Sequence, residues 1–207
     1  MHKIPQIIHQ TWKTSDIPAS LQSLSQSWKS KHPNWEYKLW TDEMNRNFIV
    51  ENFPEFLAIY GSYEYNIERV DSVRYFILYH YGGLLVDLDF ECLKDVTPLL
   101  EDATCIFGVE TEAHCPIHNR TMIICNAFMA CSAKNNFMKQ FCDELKKDVQ
   151  PSSQNCPSWQ KVLETAGPFK LTDIYDNFHD KTYLSHCKLK PVKHMRYTIL
   201  WDPMQLN

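Results

Sequence analysis

Residues 69–89 read RVDSVRYFILYHYGGLLVDLD, and this stretch decides the fold class. From residue 67 to residue 81 the apolar side chains recur with the 3.6-residue period of a helix, which predicts a helix with one buried face. The pair Gly82–Gly83 is typical of a helix end. The run Leu84–Val86 then predicts a short buried strand, so helix and strand follow each other directly, as in α/β proteins.

Two charged residues, Asp71 and Arg74, lie on this otherwise apolar face of the predicted helix, about 60° apart. Burying an unpaired charge is unfavourable, so each side chain must pair with the other or with a ligand. A structural ion pair at positions i and i+3 explains the pattern as well as a ligand site does.

The sequence Asp87-Leu88-Asp89 follows the predicted strand. In an extended chain residues i and i+2 point to the same side, so the two carboxylates are expected to converge. Clustered carboxylates suit a hard divalent cation, Mg²⁺ or Mn²⁺, which can also bind a diphosphate and act as a Lewis acid. Ligands bind at strand ends of open α/β sheets. A solvated acidic turn is the alternative reading.

The rest of the chain alternates predicted strands and helices, with no linker or repeat, which favours one domain over residues 1–207. The segment from residue 182 onward gives no firm assignment. Strands are predicted at 7–12, 35–40, 105–109 and 121–131, and helices at 21–31, from Thr41 as N-cap, at 136–147 and at 157–165.

Composition excludes several function classes. The chain has 207 residues, 44% of them hydrophobic and 22% charged, and a net charge of −4. This balance fits a globular protein and argues against a nucleic-acid binder that works by phosphate neutralisation. Eight cysteines without a C-x-x-C pair argue against structural zinc, and we expect free thiols.

No stretch approaches the roughly 20 apolar residues of a membrane span, and the first residues lack an apolar signal region. We therefore expect a soluble, cytoplasmic protein without a transmembrane segment in this chain. A Golgi-lumenal location is the alternative, if an anchor lies outside this chain.

Several segments together resemble one protein family. Besides residues 69–89, these are Ile4–Lys13 (IPQIIHQTWK), Tyr37–Asp42 (YKLWTD), Asn126–Met129 (NAFM) and Thr165–Pro168 (TAGP). In this order they resemble the glycosyltransferases with a DXD-containing sugar-binding region. That group includes Golgi α-mannosyltransferases, galactosyl- and N-acetylglucosaminyltransferases and bacterial capsular enzymes, and large toxin glucosyltransferases carry a related core.

The resemblance implies a GT-A-type α/β fold, with a mixed, mostly parallel sheet flanked by helices. It implies that Asp87 and Asp89 hold Mn²⁺ or Mg²⁺ and that Asp87, Asp89 and Arg74 are catalytic. Trp12 would lie near the nucleotide base, and Asn126 on the acceptor side. The implied donor-binding residues are His9, Gln10, Thr11, Trp12, Asp71, Arg74, Gly83, Asp87, Leu88, Asp89 and Asn126.

The implied reaction moves a hexose from a UDP- or GDP-linked nucleotide-sugar, with retention, to a glycan, glycolipid or glycoprotein hydroxyl. The C-terminal segment matches the family poorly, and His194, Trp201 and Asp202 are candidates there, His194 and Asp202 as further metal ligands. A catalytically silent module that binds a nucleotide-sugar or carbohydrate is the main alternative. A D-x-D phosphatase is disfavoured because Phe90-Glu91 replaces the small hydroxyl residue expected there.

Overall fold

The computed structural model of the chain describes residues 3–147, 158–192 and 196–199. Within these residues seven strands form one sheet with the order β2-β1-β3-β5-β4-β6-β7. The strands are β1 (Ile7–Thr11), β2 (Glu36–Trp40), β3 (Gly83–Val86), β4 (Cys105–Val109), β5 (Ile124–Cys131), β6 (Leu184–Val192) and β7 (Arg196–Ile199).

Eight α-helices of the described residues connect and cover these strands. Thr41 precedes the second helix, and its hydroxyl accepts the N–H of Met44 at 3.1 Å, as predicted for an N-cap. The helices are α1 (Ala19–Lys31), α2 (Asp42–Asn52), α3 (Leu57–Ser62), α4 (Asn66–Tyr81), α5 (Thr97–Leu100), α6 (Asn136–Leu145), α7 (Ser158–Thr165) and α8 (Pro168–Asn177).

The sheet is mixed, as predicted. β1 pairs in parallel with both β2 and β3, and β4 pairs in parallel with β6. The other three pairings are antiparallel, because β5 runs opposite to β3 and β4 and β7 runs opposite to β6. Parallel pairings therefore equal antiparallel ones among the described strands, rather than dominating them.

Apolar side chains alternate between the two faces of the sheet and build one core on each. On one face Leu85 and Phe107 pack with α4 and α6. On the other face Val86 and Ile106 pack with Trp28 of α1. The indole N–H of Trp28 also donates to the carbonyl of Phe90 at 2.9 Å, which joins α1 to the chain just after β3.

Two elements form in segments that the sequence left unassigned. After α7 ends at Thr165, Gly167 is the N-cap of α8 and Pro168 is its first residue, because proline at the first helical position loses no helix hydrogen bond. The segment from residue 184, which had no assignment, forms β6 beside β4.

The junction between α4 and β3 requires glycine. Gly82 and Gly83 have φ values of 66° and 96°. A Cβ on Gly83 would lie 2.6 Å from the Ile7 carbonyl oxygen and 3.1 Å from Nε2 of His9. The start of β3 therefore approaches β1 more closely than any side chain allows.

We expect Gly83→Ala to lower the free energy of unfolding by about 3 kcal/mol, because it adds both backbone strain and a clash. Denaturant unfolding checks this. Gly61→Ala is the control, since nothing lies within 4 Å of a Cβ at that helical position. Equal stability of the two variants would contradict the requirement for glycine at Gly83.

Candidate active site

The candidate site lies where three neighbouring parallel strands end. Asp42 follows β2, Trp12 follows β1 and Asp87 follows β3, so the three lie side by side along the carboxyl edge of the sheet. A cleft of about 450 Å³ opens there. Its lining residues are Thr11, Trp12, Lys13, Leu21, Asp42, Asn66, Ile67, Val70, Arg74, Asp87, Leu88 and Asp89.

Arg74 of α4 is the central cation of this site. Its Nη1 lies 2.7 Å from Oδ1 of Asp87 and donates to the Asn126 carbonyl at 3.1 Å. Its Nη2 lies 3.5 Å from Oδ1 of Asp71. The side chains of Arg74 and Asp71 are only 6% and 8% exposed, whereas that of Asp87 is 29% exposed. The two charges on the helical face thus pair with each other and, through Arg74, with Asp87.

Asp87 and Asp89 meet through a turn rather than an extended strand. β3 ends at Val86, and the N–H of Phe90 donates to the carbonyl of Asp87 at 3.1 Å. The expectation that the two carboxylates project from one side of a strand is therefore wrong in its geometry. The turn nevertheless brings both aspartates to the cleft, where Oδ1 of Asp89 is buried and has no hydrogen-bond partner.

Burial makes the carboxylates of this site harder to ionise. Burial raises the pKa of Asp71 to about 7 and that of Asp87 to about 6, although Arg74 opposes both shifts. Burial also raises the pKa of Asp89. Three acids share one arginine, so the site favours ligands that bring additional positive charge.

The carboxylates suit a divalent metal ion. Asp89 offers a buried oxygen that no described protein group satisfies, and a hard cation prefers such an acceptor. No group of three or more His, Cys, Asp or Glu side chains gathers around a potential ion in the described part of the chain. Two carboxylates therefore leave coordination positions for water or phosphate oxygens. His194, Trp201 and Asp202 lie outside the described residues.

His9 does not face the cleft, contrary to the prediction. It is completely buried. Its Nδ1 accepts the indole N–H of Trp40 at 3.0 Å, so its proton sits on Nε2, which contacts the Gly82 carbonyl at 2.9 Å. Burial accordingly lowers the pKa of His9 to about 4. His9 therefore has a structural role, because its contact with the Gly82 carbonyl stabilises the junction between α4 and β3.

Gln10 and Gly83 also act behind the site rather than on a donor. Gln10 is completely buried; its amide donates to the Asp87 carbonyl at 3.3 Å, and its oxygen accepts from Tyr37 at 2.8 Å. Gly83 is buried against β1. Gln10 therefore positions the aspartate turn, and Gly83 allows the start of β3 to lie close to β1; these roles differ from the donor contact predicted for them.

Of the other predicted residues, three line the cleft and Asn126 contacts Arg74 from outside it. Thr11, Trp12 and Leu88 line the cleft with Arg74 and the aspartates. Asn126 does not line it: its carbonyl accepts from Arg74, and its side-chain nitrogen is buried without a partner.

Cleft residues from two helix starts, chiefly Asp42 of α2 and Asn66 of α4, were not predicted from the sequence. The amide of Asn66 donates to Oδ2 of Asp42 at 3.0 Å. A helical spacing signal could have found part of this wall, because Asn66, Val70 and Arg74 recur every four residues and all line the cleft.

Two further findings concern described residues outside the site. Within the described residues no helix combines the length and apolar character needed to cross a membrane. Six cysteines, namely Cys92, Cys105, Cys115, Cys125, Cys131 and Cys142, are buried free thiols.

Comparison with known proteins gives relatives of one kind. Residues 18–106 match the family described as the glycosyltransferase sugar-binding region containing a DXD motif. The chain is 41% identical over 175 residues to inositol phosphoceramide mannosyltransferase 1 of Schizosaccharomyces pombe, covering 83% of this chain and 51% of the relative. It is 52% identical over 97 residues to inositol phosphoceramide mannosyltransferase 2 of the same organism, covering 47% of this chain and 28% of the relative. The chain thus spans about half or less of these relatives.

A solved structure agrees with the fold. The PaToxG glycosyltransferase superposes with a TM-score of 0.60 at 18% identity, covering 84% of this chain and 69% of that chain. The shared architecture is the GT-A-like sheet that carries the cleft described above. Residues 18–106 of the chain thus carry the sugar-binding region of the glycosyltransferases with a DXD motif.

Proposed function

We propose that this chain is a metal-dependent hexosyltransferase that takes its sugar from a nucleotide-sugar. The observation that carries the proposal is the arrangement of Arg74 between Asp71 and Asp87 in a cleft where Asp89 holds a buried, unpartnered oxygen. This combination offers a fixed cation and a cation-binding acceptor within one concave site, which is what a sugar diphosphate requires.

The Arg74 guanidinium is held in place by contacts with the protein itself. Its contacts with Asp87, Asp71 and the Asn126 carbonyl fix the guanidinium in a largely buried position at the cleft. A positioned guanidinium stabilises negative charge without reorganisation, so we assign Arg74 to the diphosphate that leaves the sugar. Asp71, also buried beside it, orients Arg74.

Asp87 and Asp89 would hold the Mn²⁺ or Mg²⁺ ion. When bound, that ion supplies Lewis-acid stabilisation of charge on the leaving diphosphate. Behind these residues Gln10 fixes the Asp87 carbonyl and Tyr37 fixes Gln10, so the turn is supported from β1 and β2. We propose retention of the anomeric configuration and assign no covalent nucleophile.

The relatives refine the substrate proposal. The names of the two S. pombe proteins specify mannose transfer and an inositol phosphoceramide acceptor. We extend both to this chain: mannose as the hexose and a glycolipid of that class as the acceptor. The cellular compartment stays a prediction.

A panel of UDP- and GDP-sugars, with and without Mn²⁺, tests the proposal. A true donor at about a hundredfold excess over its Kd should raise the melting temperature by about 5 °C or more, only with the ion present. Free nucleotide should then accumulate. Binding without nucleotide release would instead support the silent binding module, and no response to any donor would contradict both.

A further inference from the structure

A second group of polar side chains lies on the flank of the aspartate turn that faces away from the cleft. From Asp87 the cleft extends towards β1 and β2, since residues 11–13 and Asp42 contribute to its lining. On the other side of Asp87 the next strands of the sheet are β5 and then β4. A donor that fills the cleft leaves this second flank open, so β5 and β4 border the space that an acceptor can reach.

β5 begins and β4 ends at the same edge of the sheet as the aspartate turn. β5 runs antiparallel to β3, and the N–H of Asp87 donates to the carbonyl of Ala127 at 3.0 Å. β4 runs antiparallel to β5, and just after β4 the N–H of Glu110 donates to the carbonyl of Ile123 at 2.9 Å. Two strand spacings, about 10 Å, separate β3 from β4. Glu110 therefore lies across this edge from Asp87, with β5 between them.

Glu110 orients the ring of His114. Nδ1 of His114 lies 3.1 Å from Oε2 of Glu110. A carboxylate only accepts hydrogen bonds, so the proton of the neutral ring sits on Nδ1 and Nε2 is an acceptor. The side chain of Glu110 is 16% exposed and that of His114 is 45% exposed, so a largely buried acid holds an imidazole that reaches solvent. In the described part of the chain no protein group pairs with Nε2 of His114.

Contacts behind this pair connect it to the aspartate turn. Burial, together with the charge of Glu110, raises the pKa of the Cys125 thiol, which stays protonated and forms a hydrogen bond with Glu110. The charge of Asp87 acts on the same thiol, so Cys125 lies between the two carboxylates. The N–H of His114 donates to the Thr111 carbonyl at 2.9 Å, which fixes the turn that carries the ring. The imidazole is thus held in a defined place relative to the donor site.

Resting on the function proposed above, we infer that His114, positioned by Glu110, binds a hydroxyl group of the acceptor beside the donor sugar. A hydroxyl donates its proton to an unprotonated imidazole nitrogen, and sugar and inositol rings carry several such donors. An acceptor held through one hydroxyl is fixed in direction, which transfer to a single position of a polyol requires. Glu110 is a positioning residue in this arrangement, because it acts through His114.

Transfer and hydrolysis, measured separately on the 207-residue chain, test this inference. The donor is the nucleotide-sugar that the melting panel identifies, and the acceptor is inositol phosphoceramide in detergent micelles. Hydrolysis to free hexose needs only water, whereas transfer needs the acceptor subsite. His114→Ala should lower kcat/KM for the acceptor about tenfold and change hydrolysis less than about twofold. Glu110→Gln should lower the ratio of transfer to hydrolysis about threefold, because a neutral amide holds the ring less firmly.

His179→Ala is the matched control and should change neither rate. His179 is exposed and adjoins Asp180, which lines a cavity with Thr104 and Ser132 at the opposite edge of the sheet. An unchanged ratio in His114→Ala, or wild-type hydrolysis without any transfer, would overturn the inference and leave the nucleotide-sugar chemistry intact. A wild-type ratio in Glu110→Gln would overturn the positioning role of Glu110. Absence of both hydrolysis and transfer in wild type would overturn the proposed function itself.

Discussion

Asp89→Asn will reduce donor turnover by about 10²- to 10³-fold and shift the Mn²⁺ dependence to higher concentration. The reason is that Oδ1 of Asp89 is buried in the cleft without a protein partner, and a neutral amide replaces its charge. Stability should be maintained or slightly increased, because the buried position disfavours the ionised carboxylate, as its raised pKa indicates. Steady-state kinetics at several Mn²⁺ concentrations, with a melting curve, measure both effects.

Asp16→Asn is the matched control for this substitution, since Asp16 is exposed and lies outside the cleft lining. It should change neither turnover nor the Mn²⁺ requirement. Wild-type activity of Asp89→Asn at limiting Mn²⁺ would contradict the metal-binding role of Asp89.

Arg74→Lys will lower kcat/KM for donor turnover by about 10²-fold or more. A guanidinium contacts Asp87, Asp71 and the Asn126 carbonyl from fixed directions, and a single ammonium group cannot reproduce that geometry. Arg74→Met removes the charge altogether and should lower the free energy of unfolding by about 3–5 kcal/mol, because two acids then lack their buried partner.

Arg120→Lys is the control for the lysine variant. Arg120 pairs with Asp173, whose side chain is 55% exposed, so this substitution should cost less than about 1 kcal/mol and leave activity unchanged. Kinetics and denaturant unfolding of all three variants are the measurements. If Arg74→Lys kept wild-type kcat/KM, Arg74 would be a structural residue and not part of donor turnover.

The central helix and strand were predictable because their signals are local. The 3.6-residue period, the double glycine and the short apolar run all lie within residues 67–86, and each determines the conformation of its own segment. The structure has α4 over Asn66–Tyr81 and β3 over Gly83–Val86. The burial of Asp71 with Arg74 also follows from this period alone.

The roles of His9 and Gln10 could not be predicted in this way. Both are polar residues in an otherwise apolar strand, which is equally consistent with ligand contact and with internal hydrogen bonds. Their partners, Trp40 and Tyr37, belong to another strand, and a single sequence does not show which groups meet across a sheet. The turn that contains Asp89 was not predicted for a related reason. It begins where β3 stops pairing with its neighbouring strands, and a single sequence does not show where that pairing ends.

Asp42 and Asn66 were missed because acidic and amide residues at helix starts are common for purely local reasons. Only the packing of α2 beside α4 shows that the two side chains meet in the same cleft. The assignment of β6 likewise depends on its distant partner strand.

The pairing of β4 with β6 has a consequence for how the protein reaches its native state. Cys105 lies beside Leu184, so the strand that covers this flank of β4 is synthesised long after the strand it protects. Contacts between residues so distant in the chain form slowly, since a large loop must close first. Until β6 docks, β4 presents open backbone hydrogen-bonding groups to other nascent chains, which makes this flank of newly made molecules prone to aggregation.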